Sequence, residues 1–404
     1  MNVLLLSIGN LKDVRQHEIY TDLLREFRDR GHSVYAISTY ERRVNKETEF
    51  KEEFGIKMLR VKIGNITKCG TLEKGISTVT LQSEFKKAIK KYLSDVVFDL
   101  VLYSTPPITL CSVVEYIKKR DGAHTYLMLK DIFPQNALDI GILAEGGVKG
   151  AIYKYFKAKE KKLYEISDSI GCMSPANVQY LLEHNPELDA SKVGLCPNCI
   201  EVQDFVLNKE EINLMRDKYG IPKDKRVFVY GGNLGKPQNV PFIIECLKTQ
   251  TENKKAYFLI VGDGAEYGTL EKFFKENKCD NMRLMKTMPK DDYDRMTAAC
   301  DIGLIFLDYR FTIPNYPSRM LAYMQTALPV LACTDEATDI AQTVTDGGFG
   351  WWCPSNSPKV FSALVEKIID EPLEEKKEKS FSVLKEQFDV SRAYELIMER
   401  YNRK

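Results

Sequence analysis

The chain has 404 residues, 44% hydrophobic and 28% charged, a globular composition whose length argues for two domains. Its formal net charge of +1 gives no overall field that would draw it to nucleic acid or to an acidic partner. No apolar run approaches the roughly 18–20 residues of a membrane span. The opening MNVLLLSIGN lacks the basic region of a signal peptide, so it reads as a first strand and the protein as cytoplasmic.

From there short apolar strands alternate with helical patterns. Strands are expected at 3–7, 33–38, 100–103, 125–129, 169–173 and 192–196, and helices at 17–30, 81–94, 109–119, 149–166 and 175–183. Near-continuous apolar strands between helices specify a parallel sheet covered on both faces. A polar stretch near 201–217 interrupts the rhythm, which restarts at KRVFVYGGNLGK with strands at 256–261, 281–285, 301–306, 329–332 and 350–353, before an amphipathic tail helix at 390–402. The fold class is α/β, two Rossmann-like doubly wound domains facing a central cleft, with ligands expected at the C-terminal strand ends.

Those strand ends supply the candidates. Gly9 leaves the first strand. Gly231, Gly232 and Gly235 follow another, with Lys236 beside them and a helix expected from about Asn239; glycines let backbone N–H groups approach phosphate. The spacing is not G-x-G-x-x-G, and no acid is expected at the end of the next strand, which counts against a nicotinamide-dependent oxidoreductase. Gly262 and Gly264 flank Asp263 at a strand-to-helix turn, which reads equally as plain structure. In NYPSRMLAYMQTALPVLA, Pro317 and Ser318 fit a helix's first turn, where Arg319 opposes the dipole unless an anion binds. Lys130 and Asp131 end the strand of LKDIFPQNALDIG; Asp131 is either a proton acceptor or a cap. His17, His32, His124 and His184 lack metal-ligand spacing, and Cys196 and Cys199 read as a strand end and turn rather than a zinc or redox motif. Six lysines between Lys149 and Lys162, mixed with aromatics, are either a solvated face or a surface for an anionic membrane.

The pieces RGHSVYAIST, FDLVLYSTPPITL, LKDIFPQNALDIGIL, VFVYGGNLGKPQNV, YFLIVGDGAEYGTLE and YPSRMLAYMQTALPVLAC, in this order, resemble the retaining GT-B glycosyltransferases (glycosyl transferases group 1) that build bacterial capsule and O-antigen sugars. The resemblance covers nearly the whole chain. It implies an acceptor-binding domain at 1–205, rejoined by the tail helix at 388–404, and a donor-binding domain at 206–387. It implies transfer from a nucleoside-diphosphate sugar, a UDP-sugar in first expectation, to a glycan or lipid-linked hydroxyl, without metal or cofactor. Catalysis would fall to Asp131, Lys236 and Arg319. Donor contacts would come from Gly9, Gly232, Asn233, Gly235, Lys236, Gly262, Gly264, Thr287, Met288, Ser318 and Arg319. Two departures stand out. Pro314 and Ala322 occupy positions where many relatives carry glutamates, the second a ribose ligand, and Asn233 and Gln238 replace an Arg and a Lys. A glycosyltransferase-like binding or scaffolding subunit is therefore the alternative reading.

Overall fold

The structure, a computed structural model, describes residues 1–9, 11–67, 69–203, 205 and 207–403. The chain divides into two compact units, Met1–Glu201 with Asp389–Lys404, and Val202–Phe388. Residue 206, at the boundary read from the sequence, lies outside the described residues.

The first unit runs β1 (Asn2–Leu6), α1 (Ile19–Asp29), β2 (Ser33–Glu41), β3 (Glu49–Glu53), β4 (Ile56–Ile63), α2 (Thr71–Tyr92), β5 (Leu100–Ser104), α3 (Cys111–Asp121), β6 (His124–Leu129), α4 (Gln135–Asp139), α5 (Gly147–Ile166), β7 (Ser169–Cys172), α6 (Pro175–His184) and β8 (Val193–Leu195). Its eight strands lie in the order β3-β4-β2-β1-β5-β6-β7-β8. Every side chain of β5, β6 and β7 is buried, as expected where helices cover both sheet faces. The tail helix α15 (Val390–Asn402) returns to this unit: Val390, Ala393 and Ile397 join one core with Leu24 and Phe27 of α1. The Tyr394 ring meets Phe27 edge-on, with centroids 4.9 Å apart.

Two expectations need correction here. The sheet is not wholly parallel, because β3 pairs antiparallel with β4. Glu49–Glu53 reads EFKEE, a charged edge strand in which Phe50 is the one apolar residue. The helix expected from 81 begins ten residues earlier, at Thr71.

The second unit contains α7 (Lys209–Tyr219), β9 (Arg226–Asn233), α8 (Val240–Lys248), β10 (Ala256–Asp263), α9 (Tyr267–Glu276), β11 (Met282–Met285), α10 (Lys290–Ala298), β12 (Ile302–Phe306), α11 (Arg319–Gln325), β13 (Val330–Thr334), α12 (Ile340–Asp346), β14 (Gly350–Pro354), α13 (Pro358–Ile369) and α14 (Glu374–Gln387). Its six strands are parallel, in the order β11-β10-β9-β12-β13-β14. Successive strands step outward from β9 in one direction and from β12 in the other. The topological switch point, where such sheets bind ligands, therefore lies at the C-terminal ends of β9 and β12. No helix among the described residues is long and apolar enough to cross a membrane.

Candidate functional site

Beyond β9 the chain turns through Gly232, Asn233, Leu234 and Gly235. Gly232 holds φ +127°, and a Cβ there would sit 2.7 Å from Arg319 Nη2. Only glycine combines that conformation with so close a neighbour. Gly231, one residue back, is closed by the Tyr293 hydroxyl in the same manner. The loop after β9 and the start of α11 thus meet at the switch point, and glycine is what allows it.

Arg319 is the charged centre of this meeting. Its guanidinium carbon stands 4.3 Å from the centroid of the Tyr230 ring. Tyr230 donates to the Asn233 carbonyl at 2.6 Å, fixing the ring against the loop. Tyr323 accepts from the Gly231 N–H at 3.2 Å. Burial pushes the Tyr293 hydroxyl up to about 12, so it stays a neutral donor. Arg319 Nε is buried with no hydrogen-bond partner, and no carboxylate pairs with this arginine among the described residues. Burial opposes the charge, but Tyr230, Tyr323 and Tyr293 outweigh it and keep the guanidinium charged; the cation–π contact contributes about 0.5–2 kcal/mol. The site holds an uncompensated positive charge beside a glycine loop. That is the electrostatic requirement for binding an oxyanion.

The other expected residues fall around it. Asn233 donates to Gln238 Oε1 at 3.0 Å, and so does the Gly235 N–H at 3.2 Å. The two positions where relatives carry Arg and Lys are thus joined here into a neutral clasp. Lys236 is exposed and forms no ion pair among the described residues. Gly262 and Gly264 act one layer down. A Cβ on Gly262 would overlap the Gly232 carbonyl, and one on Gly264, at φ +155°, would press on Leu234 O. They seat β10 under the loop, whose Leu234 N–H donates to Asp263 O at 2.9 Å.

Two readings are corrected. β10 runs two residues past the expected end and finishes on an acid, Asp263, which pairs with Lys286 at 3.5 Å. The helix read as opening on Pro317 and Ser318 begins at Arg319, with Ser318 as an exposed cap whose side chain makes no capping bond. The helix expected from about Asn239 is there: after a short turn at Lys236–Gln238, Asn239 caps α8 by accepting from the Phe242 N–H at 3.3 Å. Thr287 is exposed and Met288 half-buried between β11 and α10. Sequence reasoning missed Tyr230 and Tyr293. The signal for Tyr230 was its place in VYGGN, immediately before the glycines.

In the first unit Asp131 follows β6. Asn136 Nδ2 donates to both its carboxylate oxygens, at 2.7 and 2.8 Å, and Thr105 Oγ1 donates to its carbonyl at 2.9 Å. Burial raises the carboxyl to about 6 despite the Asn136 bonds. Burial also pushes the neighbouring Lys130 ammonium down. Gly9 is exposed, its N–H donating to Ser7 Oγ at 3.0 Å. His17, Asp22 and Glu201 have ligand atoms within 4.8 Å of one another. Arg25 already sits among them, 2.5 Å from Asp22 and 2.8 Å from Glu201, so the cluster is an ion-pair network rather than a cation site. Cys196 and Cys199 are buried free thiols in the core beneath α15.

An α/β chain of two doubly wound units with its tail helix returned to the first has the GT-B fold. Over its full length it superposes on the crystal structure of Anabaena Alr3699/HepE in complex with UDP and glucose, with TM-score 0.71, 14% identity and complete coverage of both chains. Residues 211–382, within the second unit, match the family described as "Glycosyl transferases group 1". The chain is 26% identical over 274 residues to a probable glycosyltransferase, WbjE, of Pseudomonas aeruginosa, covering 67% of this chain and 66% of that protein. It is 24% identical over 206 residues to a putative colanic acid biosynthesis glycosyl transferase, WcaI, of Escherichia coli K12, covering 51% and 49%. The matched stretches thus span about two thirds and about half of those relatives' lengths.

Proposed function

We propose that the protein transfers a sugar, with retention, from a nucleoside-diphosphate sugar to a hydroxyl of a glycan or lipid-linked acceptor in surface-polysaccharide synthesis. The observation that carries this reading is Arg319, a half-buried cation beside a glycine loop, with its Nε buried and no carboxylate paired with it among the described residues. Negative charge develops on the departing diphosphate as the anomeric bond breaks. Arg319 and the Lys236 ammonium stabilise that charge, and neither contribution requires a metal. UDP is the first nucleotide to test, since the full-length structural neighbour binds it. Asp131 is the residue of the first unit suited to accept or orient the acceptor's proton, because a carboxyl near 6 titrates close to neutrality.

The peripheral-membrane reading gains support from α5. Val148, Ile152 and Tyr155 form one exposed apolar stripe, with Lys149 and Lys154 exposed beside it. Tyr153 and Phe156 instead turn inward, to Gln135 and Phe133. We place the protein in the cytoplasm, at the inner face of the membrane. Ala322 and Pro314 favour a second reading, a nucleotide-binding or scaffolding subunit without turnover.

A thermal-shift and calorimetric screen of UDP, GDP and their sugars tests the assignment. Nucleotide-diphosphate binding with donor turnover supports the transferase. Binding without turnover in the presence of lipid-linked acceptors moves the conclusion to the nucleotide-binding subunit, and binding of no nucleotide diphosphate removes the transferase and favours the scaffolding subunit.

A further inference from the structure

A second charged site lies in the first unit, far from Asp131. A cavity of about 570 Å³ opens where β6, β7 and β8 begin. Asp131 follows the other end of β6, whose six residues span roughly 20 Å. The cavity therefore belongs to the face of the sheet edge that the proposed transfer does not use.

Its lining is strongly basic. Lys118, Lys192, Arg400 and Arg403 contribute four cations, against Asp168 as the one acid in the lining. Asp168 is already satisfied: Lys118 Nζ lies 2.7 Å from one oxygen, and the Thr125 hydroxyl and N–H donate to the other at 2.8 and 3.0 Å. Among the described residues Lys192 bonds a neutral carbonyl alone, Ser167 O, at 3.3 Å. Arg400 bonds the carbonyls of Ser191 and Val193, the latter at 2.7 Å, tying α15 to β8. Carbonyls hold a cation in place without cancelling its charge. Arg403 pairs with Glu399, outside the lining, and keeps spare guanidinium donors. Buried Ser169 adds a hydroxyl held by the His124 ring at 3.0 Å.

We propose that this cavity binds a phosphate-bearing anion. Guanidinium forks match phosphate oxygens bidentately, and an ammonium and hydroxyls complete the coordination. A soluble phosphorylated molecule and a phospholipid headgroup share this chemistry. The proposal is independent of the function assigned to the second unit.

His124 lines the cavity and provides the probe. Histidine-labelled full-length protein is titrated with inorganic pyrophosphate at low ionic strength and followed by NMR. The His124 resonance is expected to shift and saturate below about 10 mM, with exposed His184 as control. Lys192→Glu and, separately, Arg403→Glu should each weaken the titration at least tenfold; Arg403 is exposed, and the circular dichroism of each variant checks its fold. Phosphatidylglycerol vesicles that displace pyrophosphate identify a headgroup ligand, and vesicles that do not identify a soluble one. A His124 resonance that stays fixed, or shifts equally in wild type and both variants, overturns the proposal.

Discussion

The Arg319 guanidinium packs 4.3 Å from the face of Tyr230 while its Nε stays buried without a hydrogen bond. An aromatic face orients this charge but does not neutralise it. Burial opposes the charge, but the surrounding phenols hold the guanidinium charged, which leaves a positioned cation for an incoming anion to pair.

Arg319→Met tests that arrangement directly. The variant should unfold within about 1 kcal/mol of wild type, because Met keeps the side chain's apolar packing and loses only the cation–π contact with Tyr230. Stabilisation by UDP, about 2.7 kcal/mol at a hundredfold excess over Kd, should be lost in the variant. Urea unfolding with and without UDP measures both. A variant stabilised by UDP as fully as wild type would show that Arg319 does not meet the phosphates.

Ala322→Glu restores the acid where relatives hold the ribose. Ala322 is half-exposed on α11, so the added side chain has an outlet. A charged hydrogen bond contributes about 1.5–3 kcal/mol, and UDP affinity should rise roughly ten- to a hundredfold. Calorimetry on wild type and variant decides. Unchanged affinity would mean that the ribose is held elsewhere.

Gly231→Ala should destabilise by about 1–3 kcal/mol, since its Cβ would displace the Tyr293 hydroxyl. Gly235→Ala should cost less, because its nearest atoms belong to the mobile-ended side chains of Asn233 and Gln238. Thermal melts order the two, and a more stable Gly231→Ala would contradict the packing of Tyr293 against β9.

Strand and helix positions in both units were legible because buried strands read as apolar runs; the tail helix at 390–402 was found at its observed bounds. The charged β3 and the low-amphipathicity start of α2 were not, since periodicity is the only signal a single sequence offers there. At the site, VYGGNLGK and PSR marked the two segments that meet. That Tyr293 closes over Gly231, and that Asn233 and Gln238 bond each other, depends on strand order and crossovers, which local sequence does not encode.

The exposed stripe on α5 predicts vesicle binding. Lys157 and Lys161 are already paired, with Glu160 at 2.6 Å and Glu187 at 2.7 Å. The apolar residues and Lys154 should therefore dominate. Ile152→Asp with Tyr155→Asp, and Lys154→Glu separately, should each lower partitioning onto phosphatidylglycerol vesicles severalfold in flotation assays, the second in a salt-dependent manner. Wild type that stays free of such vesicles at low salt removes the membrane assignment.

Asp131 should leave its mark on the pH dependence of stability. Its carboxyl titrates at about 6 in the folded chain, above the ordinary 3.8, because burial disfavours the carboxylate. The folded state then binds this proton more tightly than the unfolded state. The contribution to stability is full below about pH 4 and is lost as pH rises to about 6. Asp131→Asn removes the titration. The variant's stability relative to wild type should therefore rise by about 2 kcal/mol between pH 4 and 7.5, measured by urea unfolding at both. Turnover by wild type should gain an acid limb near pH 6 if the carboxylate form handles the acceptor proton. A stability difference that stays flat across this range would place the carboxyl in water rather than in the pocket made by Asn136 and Thr105.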